Sequence, residues 1–145
     1  YNYRLVNVLA AIGVAQMETF SETLEAKKTM DAFYRENLKD VGDIKFQEVP
    51  EGTNPNGWLF TFSTARMREL LEYLNKNGVQ SRPFWMPMNQ LAMFKDDIYF
   101  NEKDVSASVY KNSISIPSSA GITKEQLETV VETIKAFYKD NLIKQ

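Results

Sequence analysis

The sequence has 145 residues, of which 43% are hydrophobic, 25% charged and 12% aromatic, the composition of one globular domain or a large piece of one. Lys and Arg number 17 against 19 Asp and Glu, so the net charge is −2, without the broad positive field that nucleic acid or an anionic membrane requires. With no Cys and no His there are no disulfides, no thiolate or imidazole metal ligands, and no Ser-His or Cys-His nucleophile pair.

The stretch from Leu5 to Leu38 reads as two consecutive helices or one kinked helix, with the joint near Met17 to Ser21. Leu5, Val8, Leu9 and Ile12 fall on one face, and Ala10, Ala11 and Ala15 favour the helical backbone. Thr19-Phe20-Ser21-Glu22 has the form of a capping box. The second helix carries Phe20, Leu24, Phe33, Tyr34 and Leu38 and stops before Gly42, and its Lys/Glu mixture from Glu22 to Lys39 reads as a solvated face. Ile44 to Val49 alternates like a half-buried strand, and Pro50, Gly52, Pro55 and Gly57 make a loop. Trp58 to Phe62 is a second strand. Met67, Leu70, Leu71 and Leu74 stripe a helix ended by Asn77-Gly78. Val79 to Phe84 is a third strand, followed by irregular chain with a short helix near Leu91 to Phe94. A helix over Lys103 to Lys111 leads into the strand Ser113 to Ile116. Thr123-Lys124-Glu125-Gln126 is a second capping box, opening a helix with Leu127, Val130, Val131, Ile134, Phe137, Tyr138 and Leu142 on one side. The order predicts an α+β fold: a small, mostly antiparallel sheet with helices packed on one face, preceded by a long N-terminal helical segment. No apolar run approaches the roughly 20 residues that span a bilayer, so the expectation is a soluble, cytoplasmic domain with no membrane and no nucleic-acid partner.

Three segments carry a resemblance. Tyr1-Asn2-Tyr3-Arg4-Leu5-Val6-Asn7-Val8-Leu9-Ala10-Ala11-Ile12-Gly13 resembles the G-Y-N-Y-R-x-x-N-x-x-A-A-I-G signature of the DegT/DnrJ/EryC1/StrS sugar aminotransferases. Ser81-Arg82-Pro83-Phe84-Trp85-Met86-Pro87-Met88 resembles that family's T/S-R-P-x-W-x-P-M/L block. Ser115-Ile116-Pro117-Ser118-Ser119-Ala120-Gly121-Ile122-Thr123 is similar to its L-P-S-S-x-G-L-T block. The order and spacing of the blocks match over essentially the whole chain.

The resemblance implies a dimeric, fold-type-I aminotransferase. With pyridoxal 5'-phosphate (PLP), it would move an amino group, usually from glutamate, onto a nucleotide-linked keto sugar for cell-surface polysaccharide or lipopolysaccharide. In that family the lysine that holds PLP as a Schiff base lies N-terminal to the first block. The sequence opens on Tyr1 inside that block, so the expectation is the C-terminal portion of the enzyme. Residues 1–42 would be the helical segment linking to the large domain, and residues 43–145 the small domain. No PLP is expected bound to this chain alone, no catalytic residue is assigned within it, and it is expected to be inactive.

Residue by residue, the resemblance places Asn2 on the PLP phosphate of the neighbouring subunit, where an amide donates without adding charge; a terminal helix-capping Asn is the alternative. Arg4 would support the same anion or make an ion pair. Tyr3 is expected in a packed interior. Arg82 and Trp85 would face the substrate, a guanidinium for carboxylate or pyrophosphate and an indole for a ring, against the alternative of a surface Arg beside a core Trp. Asn89 stands where many members carry His. It keeps a hydrogen-bonding tip for substrate without a proton carrier, and the Asn89-Gln90 form resembles members in sialic-acid-like sugar pathways. Met86, Met88 and Met93 read as core or interface filling, and Pro117-Ser118-Ser119 as a turn. Two other classes compete with the enzyme: a non-enzymatic α+β module that binds a small ligand or self-associates through its opening helix, and a single-stranded RNA binder, which the net charge disfavours.

Overall fold

The computed structural model describes residues 2–142, with side chains through residue 139. Its elements run α1 (Asn7–Glu18), α2 (Phe20–Leu38), β1 (Lys45–Phe46), β2 (Phe60–Ser63), α3 (Met67–Lys76), β3 (Arg82–Pro83), a 3-10 turn (Met88–Gln90), α4 (Val105–Asn112), β4 (Ser113–Ile116) and α5 (Lys124–Leu142).

The strands pair antiparallel in the order β1-β2-β4-β3. Alternation along Phe60-Thr61-Phe62-Ser63 and Ser113-Ile114-Ser115-Ile116 assigns the two faces. Phe60 opposes Ile116 and Phe62 opposes Ile114, and all four are buried. Thr61 opposes Ser115 on the other face, their hydroxyl oxygens 2.8 Å apart. The apolar face is covered by α2, α3 and α5, which contribute Met30, Tyr34 and Leu38, then Met67, Leu70 and Leu74, then Leu127, Val130, Val131, Ile134 and Phe137 to one core. The Tyr34 ring lies 4.8 Å from that of Phe60. The Tyr34 hydroxyl donates to the Pro117 carbonyl at 2.8 Å, which satisfies the one polar atom that this ring carries into the core. An α+β sheet with helices on one face is therefore the architecture.

A polar joint closes the far end. Thr64 Oγ1 and the Ala65 N–H donate to the Asp43 carboxylate at 2.6 and 2.7 Å, and the Tyr138 hydroxyl lies 2.8 Å from Thr64 Oγ1. Gly42 takes φ +58° beneath the Tyr138 ring, where a Cβ would run into the ring carbons.

Several expectations need correction. The first two strands and the third are shorter than the alternation predicts, two to four residues each; β1 and β3 are the edge strands and pair along one side only. The short helix falls at Met88–Gln90 rather than at Leu91 to Phe94, directly after Pro87, whose fixed φ suits the start of a turn. The capping box at Thr19 does not form: its hydroxyl turns back to the Gln16 carbonyl at 3.3 Å. Tyr3 is 92% exposed rather than packed, and Met86, Met88 and Met93 are exposed, which removes the core half of the core-or-interface expectation. Phe20 is also exposed, and no residue of α1 is buried.

Candidate functional site

The segment from β3 to the 3-10 turn carries three expected site residues. Arg82 opposes Ser115 in the register, which puts it on the uncovered polar face beside Ser115 and Thr61. It is exposed and, among the described residues, has no acidic partner at ion-pair distance. The Phe84 N–H donates to the Ser113 carbonyl at 3.0 Å, so the pairing runs on just past β3 before the chain leaves the sheet. Trp85 then stands out, 60% exposed, with its ring 5.6 Å from Phe84. Pro87 is buried and fixes the turn. Asn89 follows, and its side-chain carbonyl oxygen is buried with no hydrogen-bond partner among the described residues. A buried acceptor without a donor is costly, so this tip is a candidate for a donor beyond the described residues.

Trp85 meets a residue that the sequence reading leaves in a strand. Trp58 is 62% exposed and lies before β2, its ring centroid 5.4 Å from that of Trp85 and tilted by 51°. Both indoles line an open groove of about 960 Å³, with Thr61, Ser63, Ser113 and Lys45 along the sheet side. The groove takes in Trp85 but not Asn2, Arg4, Arg82 or Asn89.

Trp58 is held from behind. Its N–H donates to the Asn56 side-chain oxygen at 3.0 Å, and Gly57 takes φ +62° where the chain passes against Lys27 of α2. Lys27 Nζ donates to the Trp58 carbonyl at 2.9 Å and also to the Ser118 carbonyl. Lys27 is thus not part of a purely solvated helix face. Partial burial away from water pushes its ammonium below the ordinary lysine pKa. The local signal for it is only the Asn56-Gly57 turn ahead of Trp58; the contact with α2 spans 31 residues of sequence.

Asn2 and Arg4 lie in the extended chain before α1, both exposed, with Tyr3 between them at φ +45°. A carboxamide and a guanidinium supply neutral and charged donors, the set a phosphate monoester accepts, and neither is paired with a carboxylate among the described residues. In donor chemistry they fit the phosphate end of PLP. Among the described residues no cluster of three or more His, Cys, Asp or Glu side chains could hold a metal, and no helix is long and apolar enough to cross a membrane.

Over residues 1–135 the sequence matches the profile of the DegT/DnrJ/EryC1/StrS aminotransferase family. It is 29% identical over 143 residues to a GDP-perosamine synthase of Vibrio cholerae, covering 95% of this chain and 39% of that protein. It is 23% identical over 150 residues to a UDP-4-amino-4,6-dideoxy-N-acetyl-beta-L-altrosamine transaminase of Campylobacter jejuni, covering 95% of this chain and 40% of that protein. A solved DegT DnrJ EryC1 StrS aminotransferase from Brucella abortus shares the fold at a TM-score of 0.82 and 22% identity, over 93% of this chain and 36% of that one. The chain therefore spans well under half the length of these relatives.

Proposed function

The chain belongs to the DegT/DnrJ/EryC1/StrS aminotransferase family, and on that premise we propose that it is the C-terminal domain of a PLP-dependent nucleotide-sugar aminotransferase. The whole enzyme moves an amino group from glutamate onto a nucleotide-linked keto sugar in cell-surface polysaccharide or lipopolysaccharide biosynthesis in the cytoplasm. The observation that carries this reading is the continuous family match over residues 1–135, which includes all three blocks at once. PLP supplies the electron sink for the amino transfer. The residues of this chain bind and orient.

In this reading residues 1–42 link to the large domain and residues 43–145 form the small domain. The state of α1 supports it. Asn7–Glu18 contains Glu18 as its single charged residue, is apolar on more than one side and buries nothing. A helix apolar around its circumference is stable in water only when enclosed on several sides, which one facing helix of a second copy cannot do. A surrounding domain can. Asn2 and Arg4, at the start of that helix, donate to the PLP phosphate across a homodimer interface. Arg82, Trp85 and Asn89 sit on the substrate side: Arg82, without an acidic partner among the described residues, offers its guanidinium to pyrophosphate, Trp85 a ring face, and Asn89 a buried acceptor to a sugar hydroxyl or amide. In this reading the lysine that anchors PLP lies in the part of its relatives' length that this chain does not span, and the 145-residue chain alone is inactive.

The test is made in the whole enzyme. Asn2→Ala raises the Kd for PLP at least about ten-fold, the worth of one or two hydrogen bonds to a charged group, with KM for the sugar nucleotide changed less. Arg82→Ala does the reverse. Unchanged PLP affinity in Asn2→Ala and unchanged KM in Arg82→Ala contradict the placement.

A further inference from the structure

Lys27 is an unusual choice for the position it fills. Its ammonium is partly withdrawn from water and, among the described residues, has no carboxylate partner; its two partners are main-chain carbonyls, Trp58 O at 2.9 Å and Ser118 O. Ion pairs and buried charges add little net stability over an apolar side chain of similar volume, so packing alone does not call for a lysine here. What the two bonds do achieve is geometric. They tie the loop between β1 and β2, and the turn between β4 and α5, to the same point on α2. The first tie fixes the backbone of Trp58 directly, and the Asn56 side chain and the close pass of Gly57 over Lys27 leave that backbone little freedom. At the other end of the fixed residue, the Trp58 indole is 62% exposed and meets Trp85.

We propose that Trp58 and Trp85 together form one ligand-facing aromatic corner that takes the hexose ring of a nucleotide sugar, and that Lys27 is the positioning residue that holds Trp58 in it. This rests on the nucleotide-sugar reading above and adds two residues to it. The two indoles touch, their centroids 5.4 Å apart, so a ligand lies against their exposed faces rather than between them, as the C–H face of a pyranose does on an aromatic ring. Along the sheet side the groove is lined by Thr61 and Ser63, whose hydroxyls already bond Ser115 Oγ and the Lys45 carbonyl and keep lone pairs that can accept from sugar hydroxyls.

The chain contains two tryptophans, and both are in this corner, so its tryptophan fluorescence and the exciton couplet of the indole pair in circular dichroism report on this site alone. The probes are UDP-N-acetylglucosamine and GDP-mannose, compared with UDP and GDP. At least one nucleotide sugar changes the fluorescence saturably, and its nucleoside diphosphate binds at least about five-fold more weakly, the worth of one aromatic contact. Trp58→Phe and Trp85→Phe each abolish the couplet and weaken sugar-nucleotide binding about five-fold, at positions exposed enough to leave the fold intact. Lys27→Met loses the couplet and the affinity while unfolding at nearly the same temperature, and Lys27→Arg, which keeps donors for both carbonyls, restores them. A couplet retained in Lys27→Met overturns the positioning role. Equal affinity for the nucleoside diphosphates, or a KM for the sugar nucleotide left unchanged by Trp58→Phe in the whole enzyme, overturns the sugar corner. Should Trp85→Phe weaken binding and Trp58→Phe leave it unchanged, this inference falls while the substrate-side placement of Trp85 stands.

Discussion

Gly42 and Asp43 join pieces of chain that lie far apart in sequence, and their effect on stability follows from that joint. Gly42→Ala places a Cβ at positive φ against the Tyr138 ring, and the two penalties together cost about 2–4 kcal/mol, read as a lowered midpoint in urea. For the Asp43 carboxyl, desolvation is the largest single influence and pushes the pKa up. The hydrogen bonds from Thr64, the Ala65 N–H and Tyr138 together outweigh it and hold the pKa below the usual 3.8. A group with a depressed folded pKa contributes stability that is complete above the ordinary value and lost as pH falls through the folded one. The chain therefore loses stability on acidification below about pH 4, and Asp43→Asn flattens that part of the pH profile; an unchanged acid limb in Asp43→Asn contradicts it. Burial also pushes the Tyr138 phenol up to about 12, so that hydroxyl stays a donor at all ordinary pH. Gly42 is legible in the sequence as the end of a helix. Its contact with Tyr138 is not, because a local pattern carries no information about a partner 96 residues away.

Two helix starts share the pattern T-x-x-E/Q, and only one behaves as the pattern predicts. At α5 the Gln126 N–H donates to Thr123 Oγ1 at 3.3 Å and the Thr123 N–H to the Gln126 side chain at 2.9 Å, a reciprocal box. At α2 the preceding residue is the last of α1, and Thr19 sits at φ −104°, ψ 4°, outside the extended region that an N-cap needs. Its hydroxyl bonds backwards instead. Thr123→Ala accordingly costs about 1 kcal/mol, and Thr19→Ala well under half of that, in paired thermal or urea unfolding; equal losses contradict the assignment. The helices α2, α3 and α5 and the strand β4 were readable because each carries a long periodic stripe or a clean alternation. β1 and β3 are two residues long, below the length at which alternation is informative, and only the register with β2 and β4 defines them. The same limit hid Trp58 as a site residue: its neighbours in sequence are a strand, and its neighbour in space is Trp85.

At the scale of the molecule, the contrast is between a well-formed core and a helix that has none. The buried cluster draws on α2, α3, α5 and the sheet, and on no residue of α1. Removing residues 1–18 thus leaves the unfolding midpoint within a few degrees and reduces concentration-dependent self-association; a large fall in the midpoint would place α1 inside the cooperative unit. The family blocks were legible as short motifs, and the donors they place at Asn2, Arg4 and Arg82 have no carboxylate partner among the described residues. The most direct test is amino transfer itself. The 145-residue chain and a protein of its relatives' full length are assayed side by side with PLP, glutamate and a nucleotide-linked keto sugar. Transfer by the longer protein only, with a rate in Asn2→Ala that falls at limiting PLP and recovers at about ten-fold higher PLP, is the predicted result; transfer by the 145-residue chain alone, or an unchanged PLP dependence in Asn2→Ala, contradicts the account.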